Sequence, residues 1–279
     1  MERWNSQESN AFSCGVKVGS IDVVAVFDGV GIEVGSEILH RPSVTDPWAA
    51  HPQQLRPDGT LELPLGGFLI RAADRTILVD AGVGPGQNGT YSGGELLNSL
   101  EAHGVSADDV TDVVFTHLHF DHIGWASLDG EPVFRHATYR VHEADWKHFV
   151  TGHGADPAAV AKLLPIAERF ALFTTDFEIV PGVSTRHSPG HTPGSTAYVV
   201  ESEGERLYLI GDIAHSVVQF AERDWEVIWD VDPRAASVVR NAFADEAART
   251  GAVIVASHFP ELRFGRVRAH PTRHFATNP

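Results

Sequence analysis

Residues 117–122 read His-Leu-His-Phe-Asp-His, so His117, His119, Asp121 and His122 place four potential metal donors within six positions. The stretch before them, residues 109–116, is apolar and β-branched (Val110, Val113, Val114, Phe115) and predicts a buried strand. This pairing constrains the fold. A buried strand needs cover on both faces, and a donor-rich loop at its C-terminal end has to open toward a ligand. A lone histidine reads most simply as a satisfied core or surface residue. The whole run reads as a divalent-metal site, because one imidazole binds weakly and several donors must converge.

The flanking patterns supply the rest of such a fold. Residues 15–27 are apolar with glycine punctuation and predict a strand, and residues 65–71 with 76–80 predict a hairpin turning at Ala73-Asp74. Residues 40–61 hold Pro42, Pro47, Pro52 and Pro57; proline at that density removes ladder donors and predicts an irregular loop, a candidate lid. After the glycine-rich stretch 82–94, helices are expected at 95–103, 143–150 and 157–170, the last capped by Asp156 with Pro157 at its first position. Another strand is expected at 139–142. The second half predicts strands at 178–180, 183–187, 196–201, 206–210 and 252–256, a helix at 233–250 and a solvated edge strand at 263–268. This order predicts an α/β fold of two mixed sheets packed between helices, an αββα sandwich, as one domain over residues 1–279.

Composition removes several function classes. A net charge of -16, with the Lys and Arg scattered, is wrong for a surface that tracks phosphates, so no nucleic-acid partner is expected. The only cysteine, Cys14, rules out a disulfide framework and a cysteine-rich zinc site, leaving His and carboxylate to hold any transition metal. Residues 1–10 are polar and no window has the apolar length of a membrane span, which predicts a cytoplasmic protein without a membrane partner.

Three further donors follow strands of the second half: His191 in Ser-Pro-Gly-His-Thr-Pro-Gly, Asp212 in Leu-Ile-Gly-Asp, and His258 in Ala-Ser-His-Phe-Pro. Loops at one edge of a sandwich would bring them to the first cluster. A carboxylate among them could bridge two cations roughly 3.5–4 Å apart and offset their repulsion.

Over about residues 23–258 the run of motifs resembles the metallo-β-lactamase superfamily. The resemblance implies two divalent metal ions, expected to be zinc with manganese, cobalt or iron as substitutes. His117, His119 and His191 would bind the first and Asp121, His122 and His258 the second, with Asp212 as the bridge. It also implies that Asp80 braces the metal loops without binding metal. Secreted zinc β-lactamases usually replace His122 and use a Cys ligand; here His122 is present and Cys14 is remote from every motif.

The chain is most similar to the branch containing N-acyl homoserine lactonases and methyl parathion hydrolase, with residues 211–220, 243–247 and 256–260 resembling the parathion-hydrolase side. That likeness implies a dinuclear hydrolase in which a bridging hydroxide attacks a lactone, carboxylic ester or phosphotriester. Asp121, Asp212 and His215 are then expected to take part in catalysis. Homoserine lactonases usually carry Tyr three residues after the bridging Asp, where this chain has His215, read either as a proton donor to the leaving group or as a supporting residue. The substrate expected is a small hydrophobic ester, lactone or aryl phosphotriester, and the branch implies a homodimer. The alternative within the superfamily is a mononuclear iron enzyme of the persulfide dioxygenase type.

No G-x-S-x-G elbow is present, consistent with a mechanism without a side-chain nucleophile. Gly82-Val-Gly-Pro-Gly-Gln imitates a dinucleotide fingerprint, but Gln87 occupies the third glycine position and Pro85 intrudes. Trp48, Phe120, Trp125, Phe134, Phe220, Trp225 and Trp229 are each expected to pack, and those near the motifs are candidates for an apolar pocket.

Overall fold

Strand alternation sorts the apolar residues of this chain into layers. The computed structural model describes residues 14–269 and 272–277; the polar segment 1–10 lies outside the described residues. Strand β1 (Gly15–Val18) turns back at Gly19-Ser20 into the long β2 (Ile21–Val34), so the single strand expected over 15–27 is a hairpin. β3 (Thr60–Ala72) pairs with β2 along its length and turns into β4 (Arg75–Val79), with Ala73 at φ 52. β5 (Gly86–Asn88) and β6 (Tyr91–Gly93) form a small hairpin against β2, and β7 (Asp112–Val114), β8 (Thr138–His142) and β9 (Phe170–Phe173) continue the sheet in parallel from β4. The spatial order is β9-β8-β7-β4-β3-β2-β6-β5, with β1 on β2.

The second sheet contains β10 (Glu178–Val180), β11 (Val183–His187), β12 (Thr196–Ser202), β13 (Glu205–Leu209), β14 (Val253–Val255), β15 (Gly265–Arg268) and β16 (His274–Thr277), in that spatial order. Only the β13-β14 pair is parallel in it, and the connection carries the helix Pro233–Thr250.

Phe68, Ile70, Ile77, Val79 and Val114 point from the first sheet toward Tyr198, Val200, Leu207, Leu209 and Val255 of the second, forming the central core. Their neighbours Leu69, Leu78 and Val113 point outward beneath α1 (Leu96–Ala102) and α3 (Pro157–Leu163), beyond the short α2 (Glu143–Trp146). On the far side Tyr208, Ile210 and Ile254 pack under α4 (Pro233–Thr250) through Phe243, Ala244 and Ala247. Period-two alternation thus feeds two apolar faces per sheet, giving the αββα layers of a metallo-β-lactamase fold.

Three local expectations fail for identifiable reasons. α3 stops at Leu163 because Pro165 offers no N–H to continue it; a 3-10 segment, Leu164–Arg169, then leads into β9, which the expected 157–170 helix overlaps. The helix expected over 143–150 is α only to Trp146 and widens into a π turn, Lys147–Thr151. The 263–268 segment is not an edge: β15 pairs with β14 on one side and β16 on the other.

The 40–61 segment is irregular as expected, with short 3-10 turns, and it is fastened down. Leu39–His40 pairs with Glu226–Val227, Trp48 is 4 % exposed against Trp225, and His51 Nε2 lies 3.0 Å from both carboxylate oxygens of Glu222. Among the described residues no helix is long and apolar enough to cross a membrane.

Candidate metal centre

The parallel strands of both sheets end at one edge. His117, Asp212 and His258 each follow three residues after a strand end, at Val114, Leu209 and Val255 respectively. Close approach of the loops depends on two glycines. A Cβ on Gly211 (φ 53) would meet the Thr116 side chain at 2.6 Å, and one on Gly190 (φ 146) would meet the Ala236 nitrogen of α4 at 2.3 Å.

All seven expected donors come together in two adjoining groups. His117, His119, His191 and Asp212 form one, and Asp121, His122 and His258 the other, with donor atoms in each group within 4.8 Å of one another; a third group of Asp212, His215 and His258 overlaps both. His119 Nδ1 lies 2.9 Å from His117 Nε2 and 3.0 Å from His191 Nε2. Asp212 stands between the groups: Oδ2 is 3.7 Å from His117 and 3.6 Å from His191, Oδ1 is 3.4 Å from His122, and His258 Nε2 is 3.2 Å from both oxygens. Asp121 Oδ2 is 3.7 Å from His122 Nε2 and 3.5 Å from His258 Nε2.

Outer partners determine which ring nitrogens carry protons. His258 Nδ1 is 3.0 Å from the Pro64 carbonyl, which can only accept, so Nδ1 donates and Nε2 presents a lone pair. His191 Nδ1 donates to Asp230 Oδ1 at 3.0 Å, and His122 Nδ1 to Asp80 Oδ2 at 2.9 Å. Thr116 Oγ1 donates to Asp80 Oδ2, so His117 Nδ1 must donate to Thr116 Oγ1 at 3.0 Å. Four imidazoles are thereby oriented with an unprotonated nitrogen facing the centre, as outer partners orient metal ligands. His122 Nε2 and Asp212 Oδ1, both buried, have no hydrogen-bond partner. Inward-facing lone pairs, orphaned donor atoms and mixed imidazole and carboxylate chemistry fit a pair of divalent cations.

The field is consistent with that fit. Burial, reinforced by neighbouring imidazoles, holds His117 and His119 well below the usual imidazole range. Burial works against ionised Asp212, but the surrounding His258, His122, His215 and His117 outweigh it and hold the carboxyl well below its ordinary value. Burial likewise opposes charge on His122 and His258, yet Asp212 and Asp121 push both above the ordinary range. The carboxylates draw positive charge into this half, and a metal ion answers the same field as a proton.

Asp80 reaches none of the facing donor atoms. It accepts from Thr116 N and Thr116 Oγ1, both at 2.8 Å, and from His122, from a left-handed backbone at φ 60. His215 is fully buried with Nε2 3.1 Å from Asp212 Oδ2, between Trp229 and His258. It is not among the residues lining the adjoining cavity of about 290 Å³, which are Glu33, Tyr91, His119, Phe120, Asp121, Asp212, Trp229 and His258.

Of the aromatic candidates, Phe120 and Trp229 line this cavity, whereas Trp48, Trp225, Phe134 and Phe220 pack in cores. Trp125 is also buried and donates to Asp28 at 2.8 Å. The dinucleotide-like loop has an internal anion: Asp28 Oδ2 accepts from Val83 N and Gly84 N, while Oδ1 accepts from Gly94 N and Leu96 N. The sequence reading missed Glu33, Tyr91 and Asp230. Asp230 precedes the cap Asp232 of α4, and a capping pattern singles out only the latter.

Residues 67–258 match the model of the metallo-beta-lactamase superfamily. An N-acyl homoserine lactonase from Bacillus sp is 29% identical over 166 residues, 53% of this chain and 63% of that protein. One from Bacillus cereus is 26% identical over 196 residues, 64% of this chain and 72% of that protein. The match therefore spans about two thirds of these relatives. Among solved structures, AidC, described as a dizinc quorum-quenching lactonase, superposes with a TM-score of 0.86 at 24% identity over 97% of this chain and 99% of its own. AbOPH, described as a hydrolase, gives 0.80 at 23% over 95% and 97%. At such identities the superpositions establish the fold. The family match covers well over half of the sequence, and the chain belongs to the metallo-β-lactamase superfamily.

Proposed function

We propose that this protein is a dinuclear metal-dependent hydrolase that opens lactones, with zinc as the resident ion. The observation that carries this reading is the place of Asp212 within reach of both groups of imidazoles, His117 and His191 on Oδ2, His122 on Oδ1 and His258 on both oxygens. His117, His119 and His191 would hold one ion and Asp121, His122 and His258 the other. Bound there, a metal pair supplies Lewis acidity and a water acidic enough to be hydroxide near neutral pH. Asp80, Thr116, Asp230 and the Pro64 carbonyl keep the imidazoles aimed. Phe120, Tyr91 and Trp229 give the cavity an aromatic wall that displaces water from an apolar substrate.

His215 is fully buried 3.1 Å from Asp212 Oδ2 and does not line the cavity, so we assign it to steadying that carboxylate and not to protonating the leaving group. The lactonase names of the relatives and of AidC favour a lactone over the aryl ester and phosphotriester also considered. A one-iron centre leaves Asp121, His122 and His258 without a role, which weighs against the dioxygenase alternative. The test assays zinc, manganese and cobalt forms against lactones, aryl esters and phosphotriesters, with Asp212→Asn as control. Lactone opening that disappears in the variant supports the proposal; lactone opening that survives it contradicts the site.

A further inference from the structure

The cavity beside the donor cluster has one charged wall residue outside that cluster. Glu33, half-buried near the end of β2, lines it together with the aromatic Phe120 and Trp229. No Lys or Arg is among the lining residues, and Glu33 forms no ion pair with any described residue. Its carboxylate is held in place. Thr90 Oγ1 donates to Glu33 Oε1 at 3.2 Å. Tyr91 lines the cavity beside it, and burial, then Asp121 and Glu33, push that phenol well above its ordinary range and keep it protonated. The Tyr91 ring is fixed edge-on to Phe120, with centroids 5.0 Å apart. One hydroxyl donor leaves the carboxylate with spare acceptor capacity.

A carboxylate without a cationic partner in a confined, partly apolar space acts strongly on whatever enters. Within a cavity of about 290 Å³ no part of a bound small molecule can be far from it. At such separations like charges repel appreciably even at an effective dielectric well above that of dry protein. Amide N–H or hydroxyl groups are attracted, because hydrogen bonds to a charged acceptor are the stronger kind.

We propose that Glu33 sorts substrates by charge: it admits neutral molecules that carry a hydrogen-bond donor and turns away those carrying a carboxylate or phosphate apart from the scissile group. This rests on the hydrolase reading for its kinetic arm only. Aromatic cavity walls alone would make no such distinction.

The test compares wild type, Glu33→Gln and Glu33→Lys in the metal-loaded protein. A neutral aryl ester and its counterpart with a distal carboxylate are the substrates, and phenylacetate and phenylacetamide are the ligands for calorimetric titration. Gln keeps the shape of Glu33 and an oxygen that can accept from Thr90. The expected result is a roughly tenfold gain in kcat/KM for the anionic ester in Glu33→Gln and a larger gain in Glu33→Lys, with the neutral ester changed less than about threefold. Phenylacetate should bind correspondingly tighter to both variants, and the wild-type discrimination should shrink as salt rises. Unchanged anion-to-neutral ratios in both variants, in rate and in binding, overturn the proposal. If wild type turns over neither these esters nor a lactone, the hydrolase reading fails while the calorimetric comparison still decides the role of Glu33.

Discussion

Replacing Asp230 with Asn separates the two proposed metal positions. The Asp230 side chain is 2% exposed, and its Oδ1 accepts the His191 Nδ1 proton at 3.0 Å. Asn keeps the volume and one acceptor oxygen, so the main loss is charge on that acceptor. A hydrogen bond to a charged group contributes about 1.5–3 kcal/mol and a neutral one about 0.5–1.5, a difference of about 1–2 kcal/mol. At 1.4 kcal/mol per factor of ten this is a roughly 5- to 30-fold weaker metal affinity, the lower part of the range usual for such partners. The loss should fall on the ion held by His117, His119 and His191, because Asp121, His122 and His258 rest on other partners. Competition with a graded series of zinc chelators measures both affinities, and thermal unfolding of the metal-free protein controls for folding. Equal weakening of both positions, or none, would refute the reasoning.

Asp28→Asn puts an amide group among the N–H donors that Asp28 now accepts from; the leftover donors should cost about 2–4 kcal/mol and lower Tm by roughly 5–10 °C, read by calorimetry. Trp229→Ala should change the order of preference among lactones, whereas Trp48→Ala, in the core with Trp225, should lower stability and leave that order intact. Burial, only partly offset by the bonds from Thr192 and Gly194, raises the Asp145 carboxyl from 3.8 to about 6. The unfolded chain therefore binds fewer protons than the folded one between pH 4 and 6, and Asp145 subtracts up to about 3 kcal/mol of stability as pH rises through that window. Asp145→Asn should remove this slope, so its Tm relative to wild type should climb from pH 4 to pH 7; a constant difference would contradict it.

The donor cluster was legible because its residues lie at strand ends. Periodicity locates a strand, the strand locates its C-terminal loop, and the loops of parallel strands share an edge, so His117, Asp212 and His258 converge from three separate segments. Residues acting through irregular backbone left no such signal. Asp230 lies 39 positions from His191 and meets it only because Val231 N and Asp232 N bond the backbone of His191 and Gly190. Glu33 and Tyr91 reach the cavity through the pairing of β2 with β6, a register that one sequence does not reveal. The glycine-rich stretch looked like a phosphate loop because backbone amides gathered around an anion have one chemistry, whether the anion is a ligand or Asp28. His215 was read from its spacing to Asp212, and spacing could not say whether it reaches the cavity.

The central claim is that two metal ions act together across Asp212. Metal-free protein titrated with zinc, with bound metal counted by mass spectrometry and lactone opening measured on the same samples, tests it most directly. The account predicts that activity rises until two equivalents per chain are bound and that Asp212→Asn remains inactive at every loading. Full activity at one equivalent, or a single iron with oxygen consumed and no lactone opened, would contradict it.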